Sequence, residues 1–145
     1  MNLKPKIGID NLKFGMSQKE IYEILGMPNR KRIDEDDENQ LFLEFNDEKI
    51  RLTIYQDENK RLGYIRTINP NIEYNGHKII NSTLEYAQNQ IFGEIIKEWE
   101  IDDYEFFTTY GNDEFWLTLN VEYGIIISLE IGVPFKNDEE YDWPK

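Results

Sequence analysis

Between Lys97 and Phe107 five carboxylates, Glu98, Glu100, Asp102, Asp103 and Glu105, alternate with the rings of Trp99, Tyr104, Phe106 and Phe107. The tail repeats the mixture: Asp138, Glu139, Glu140 and Asp142 surround Tyr141 and Trp143. Two chemistries suit such rows. Acids beside ring faces can hold the Lys and Arg side chains of a basic protein. Alternatively, two converging acids can carry glycosidase-type catalysis or bind a hard cation. Other reactive groups are scarce. His77 is the single histidine, so no multi-histidine metal site can form. Of the three serines, Ser17 and Ser82 sit where helix caps are expected, and Ser128 lies in an apolar run without a nucleophile elbow. No phosphate-binding glycine loop is present. The acidic run Asp34–Glu38 lacks the spacing and the bending glycine of a calcium loop, and Arg30, Lys31 and Arg32 stand beside it. No metal site, cofactor or catalytic residue is therefore assigned.

Charge narrows the partners. The 145 residues carry 29 Asp/Glu against 16 Lys/Arg, a net −13. Residues 1–76 contribute 12 Lys/Arg and 14 Asp/Glu, whereas residues 77–145 contribute 4 and 15, so the second half carries nearly all of the imbalance. Such a field repels nucleic acid and anionic lipid and speeds encounter with a basic protein. Solubility alone is the competing explanation. An aromatic share of 14% is too high for a disordered acidic chain. The lack of cysteine rules out a disulfide framework and fits a reducing compartment. With no apolar leader or spanning run in these residues, the expected location is the cytoplasm.

These groups need elements to position them. Ser17-Gln18-Lys19-Glu20 reads as a capping box, followed by the stripe Ile21, Ile24 and Leu25 and a stop at Gly26 and Pro28. Sixty-five residues on, Ser82-Thr83-Leu84-Glu85 reads the same way. Its stripe is Leu84, Ala87, Ile91, Ile95 and Trp99, with Gly93 a point at which the helix bends or ends. Three alternating strand-like runs follow each helix, with turns at Asn46-Asp47, Asp57–Lys60, Gly111–Asp113 and Glu122–Gly124. Asn75-Gly76 marks a hairpin turn in the connection. The expectation is a single α+β domain over 1–145. It would be a tandem duplication of a helix plus a three-stranded antiparallel meander, with repeats at about 7–70 and 72–135 and an acidic tail at 136–145. Helices would pack on one face of an antiparallel sheet, leaving the other open, with Trp116 on it.

The stretch Phe14-Gly15-Met16-Ser17 through Leu25-Gly26-Met27-Pro28 resembles the opening motif of SmpA/BamE-type domains, and the tandem unit resembles the β-lactamase inhibitor proteins. The resemblance implies a scaffold used for binding other proteins. The lipidated cysteine of the outer-membrane members is missing, which argues against their assembly role. As a small acidic bacterial-type chain, the protein also resembles immunity proteins of polymorphic or contact-dependent toxin systems.

The function expected is that of an immunity protein that neutralises a cognate basic toxin, a nuclease for preference, by steric and electrostatic occlusion. The contacts expected are Glu100, Asp102, Asp103, Tyr104, Trp116, Tyr141, Asp142 and Trp143. A small carboxylate-dependent enzyme or metal-binding protein, and a general interaction domain, are the rival readings.

Overall fold

A computed structural model describes all of residues 1–145. The chain opens with three short antiparallel strands, β1 (Leu3–Lys4), β2 (Gly8–Ile9) and β3 (Leu12–Lys13), which bury Leu3, Ile9 and Leu12. Helix α1 (Gln18–Leu25) follows. Its capping box is complete: Ser17 Oγ accepts the Glu20 N–H at 3.3 Å, and Glu20 Oε1 accepts the Ser17 N–H at 3.1 Å. Gly26, at φ 80°, ends it. Next come β4 (Arg30–Ile33), β5 (Gln40–Phe45), β6 (Ile50–Tyr55) and β7 (Arg61–Thr67), each antiparallel to its predecessor. A hairpin of β8 (Glu73–Tyr74) and β9 (His77–Lys78) turns through Asn75 and Gly76, both at positive φ as a two-residue turn requires. Helix α2 (Leu84–Tyr86) runs into one π-helical turn, Ala87–Ile91. The second meander is β10 (Glu100–Asp103), β11 (Thr108–Asn112), β12 (Leu117–Glu122) and β13 (Ile125–Gly132).

These two runs of four strands build one eight-stranded antiparallel sheet in the order β10-β11-β12-β13-β7-β6-β5-β4. The halves of the chain meet at its centre, where β13 pairs with β7. One face carries the core. Leu43, Leu52, Ile65, Ile131 and Leu117 are successive cross-strand partners, all buried. They belong to a cluster of 27 buried residues that also takes in Phe14, Ile21, Ile79, Phe92 and Ile96.

The fold class expected from the sequence is wrong. The protein is mostly β, with 41% of residues in strands and 11% helical, so it is not an α+β scaffold of helices packed on a sheet. Two errors account for this. The expected second helix stops at Ile91, because Gly93 has no side chain to hold a helix and Phe92 and Ile96 are buried in irregular chain instead. Each meander has four strands rather than three. The overlooked strands, Arg30-Lys31-Arg32-Ile33 and Glu100-Ile101-Asp102-Asp103, lie at the two edges, are largely exposed and show little of the apolar alternation that marks a half-buried strand. The acids after Trp99 are therefore on an edge strand and not at a helix end. The second helix cap is also displaced by one residue: Thr83 Oγ1 accepts the Tyr86 N–H, while Ser82 Oγ donates to the Ile79 carbonyl.

Candidate functional site

Cross-strand partners in an antiparallel sheet share a face, so the register dictates what the face opposite the core presents. One line of partners crosses all eight strands: Arg30, Glu44, Arg51, Arg66, Glu130, Thr118, Gly111 and Glu100. On one side of it run Arg32, Phe42, Thr53, Tyr64 and Gly132. On the other run Ser128, Asn120, Thr109 and Asp102. This face is not bare, because Phe42, Thr53, Asn120 and Ser128 are all buried on it. Over it lies a trough of ≈ 530 Å³. Glu100, Asp102 and Asp113 line its acidic side, Phe42, Arg51, Tyr55 and Tyr64 line the β5–β7 side, and Trp116 and Tyr141 also border it.

The centre is held by hydrogen bonds. Asn120 Nδ2 donates to Ser128 Oγ at 2.7 Å and to Glu130 Oε2 at 2.8 Å, and the Tyr64 hydroxyl donates to Glu130 Oε1 at 3.1 Å. Both oxygens of Glu130 are thereby engaged. Burial, reinforced by the charge and hydrogen bond of Glu130, raises the Tyr64 phenol above its usual range. Burial likewise raises the phenol of Tyr55, with Tyr141 and Asp57 adding to it. The Arg51 guanidinium, 4.4 Å above the Phe42 ring, is pulled below its usual pKa first by burial and then by Arg66, while Glu130 and Glu44 oppose the shift.

Two glycines set the rings in place. A methyl group at Gly132 would overlap Trp116 Cδ1 and come within 2.7 Å of Tyr64 Cδ2, and one at Gly63 would overlap the Tyr55 ring. From Trp116 the aromatic contacts run on to Phe135 (5.3 Å between centroids), then Tyr141 (4.4 Å), then Tyr55 (5.3 Å). The tail thus folds back across the sheet, and Arg61 lies 3.9 Å over Trp143.

The structure divides the expected contacts into three groups. Glu100, Asp102, Trp116 and Tyr141 come together around the trough. Asp103 and Tyr104 lie on the β10–β11 hairpin: Asp103 Oδ1 accepts from Thr108 Oγ1 at 2.8 Å, and Tyr104 stacks on Phe107 at 4.8 Å. Phe106, at the tip, is 77% exposed. In the tail Asp142 is exposed, whereas Trp143 is half-buried between Tyr55, Tyr141 and Arg61. Sequence reasoning passed over Arg51, Tyr64 and Glu130. Only the strand register brings them together, and the one local signal was polar residues recurring at alternate positions of the strands. His77, the lone histidine, has Nδ1 2.6 Å from the Tyr86 hydroxyl. No three His, Cys, Asp or Glu side chains converge as a metal site.

Known proteins locate the fold and no more. No protein-family model and no curated protein matches the chain. Two solved structures are similar to it in fold. One is an extracellular protein containing a SCP domain from Bacillus anthracis, with a TM-score of 0.53 at 7% identity over 91% of this chain and 49% of that one. This chain thus spans about half of that neighbour's length. The other is the DUF4309 family protein YjgB from Bacillus subtilis, with a TM-score of 0.53 at 11% identity over 86% of this chain and 83% of that one. No helix here is long and apolar enough to cross a membrane. At these identities the likeness is one of backbone architecture alone.

Proposed function

We propose that the protein is a binding module that holds a basic segment of a partner protein in the trough, between the acids of β10 and the rings of Trp116 and Tyr141. The observation that carries this reading is the convergence of Glu100, Asp102, Trp116 and Tyr141, far apart in the chain, on one trough. Its acids attract Lys and Arg, and the long-range field of a −13 chain speeds their approach. Rings already held by neighbouring rings lose little freedom on binding, so they serve as anchors. The exposed Tyr104 and Phe106 of the hairpin extend the contact area at the rim. In its specific form the proposal is an immunity protein acting in the cytoplasm, with a basic toxin as partner. Occluding the toxin's Lys and Arg would deny them to nucleic-acid phosphates.

The test pairs the chain with candidate basic toxins encoded beside it. Wild-type protein should bind one of them with an association rate that falls as salt rises. The double variant Glu100→Lys, Asp102→Lys should associate at least about tenfold more slowly with a flatter salt dependence. Equal rates for the two proteins would remove the trough from the interface, and a full set of candidates without a binder would end the toxin reading.

A further inference from the structure

Beside the trough, at the turn between β5 and β6, lies a second cavity of ≈ 350 Å³ whose charge is opposite to that of the chain as a whole. Lys49, Arg51 and Arg66 line it, with Glu44 as its only acid. Arg51 and Arg66 are direct cross-strand partners on one face, an arrangement that costs stability because like charges face each other. Nothing in the protein compensates them fully. None of the three cations has a carboxylate within 4.0 Å, since the salt bridges of the chain lie elsewhere. Glu44 stands 3.7 Å from Arg32, and Glu130, the partner of Arg66 on the other side, is held by hydrogen bonds from Tyr64 and Asn120. The Arg51 Nε–H is buried without an acceptor, and the Phe42 ring fixes that guanidinium in place.

We infer that Lys49, Arg51 and Arg66 form a seat for an oxyanion, a carboxylate or phosphate group carried by a ligand. Such a group would bridge the two facing guanidinium ions through charge-assisted hydrogen bonds to their terminal nitrogens. The volume is near the lower end for ligand pockets and suits a small anion or the charged end of a longer molecule. Arg51 borders the trough as well, and anion binding at the seat is measured without any basic partner.

The arginine Nε–Hε resonances test it directly, in titrations with inorganic phosphate and with glutarate at constant ionic strength. At least one anion should give saturable shifts at Arg51 and Arg66, and the tighter of the two identifies a phosphate or a carboxylate as the natural group. Arg66→Gln should weaken that anion about tenfold. Arg51→Lys, which keeps the charge but removes the planar guanidinium fork, should weaken it as well. Two results would overturn the seat: shifts that fail to saturate with either anion, or an unchanged affinity in both variants.

Discussion

Replacing Gly132 with alanine probes whether the floor of the trough is as tightly built as the structure indicates. Gly132 lies in β13 opposite Tyr64, and its N–H donates to the Trp116 carbonyl at 3.0 Å. Its backbone is outside the left-handed region, so alanine suffers no conformational penalty there. Lower unfolded-state entropy would, by itself, stabilise the variant by about 0.4–1 kcal/mol. Against this, the new methyl would sit inside Trp116 Cδ1 and 2.7 Å from Tyr64 Cδ2, so two rings on opposite sides must move. With two rings to displace, overpacking should cost about 2–3 kcal/mol, the upper part of its usual range, giving a net loss of about 1–2.6 kcal/mol. With a urea m-value of about 2 kcal/mol/M, the unfolding midpoint should fall by roughly 0.5–1.3 M. The cause is separable by a double-mutant cycle. Trp116→Ala removes one of the two clashes, so Gly132→Ala should cost at least about 0.5 kcal/mol less in that background. A Gly132→Ala protein as stable as wild type, or a cycle additive to within about 0.3 kcal/mol, would refute the packing described for Trp116.

Three further outcomes are expected. Asn120→Leu deprives buried Ser128 and Glu130 of their shared donor and should lower the unfolding free energy by about 1–3 kcal/mol in denaturant titrations. Ser17→Ala, which removes half of the α1 capping box, should cost about 1 kcal/mol and leave the near-ultraviolet signature of the trough rings intact. In alkali, the folded phenols of Tyr64 and Tyr55 stay protonated past the usual value of about 10, while those of the unfolded chain ionise there. The stability they contribute is complete below about pH 10 and declines as pH rises above it. Unfolding free energies measured across that range should therefore fall with pH, and Tyr64→Phe should make the fall shallower.

Several parts of the molecule could be read from short stretches of sequence because their physics is local. Ser17 and Glu20 close the first turn of a helix three residues apart, Gly26 stops it, and Asn75-Gly76 supplies the two positive φ angles of a tight hairpin. The alternation of Ile50, Leu52 and Ile54 shows a strand with one buried face, and the charge imbalance is a property of composition. Edge strands escaped because their stability comes from hydrogen bonds to a neighbour; β4 and β10 place charged residues at most positions and bury almost none. The helix predicted over Leu84–Trp99 failed for a related reason. Its apolar residues satisfy the core equally well from irregular chain, so periodicity did not compel a helix beyond Ile91.

The candidate sites show the same division. The acids and rings of Glu100–Tyr104 and of the tail stand out in sequence because they are clustered along the chain. That Glu100, Asp102, Trp116 and Tyr141 face one trough, and that Arg51 stands opposite Arg66 with no carboxylate within 4.0 Å, depends on which strands adjoin and in what register. A shift of one residue in that register would turn each of these side chains to the other face. Sequence alone therefore determined the chain's charge, its cysteine-free chemistry and its local caps and turns, while only long-range strand pairing, a property of the whole sheet, decided which charged groups meet and which are left without partners.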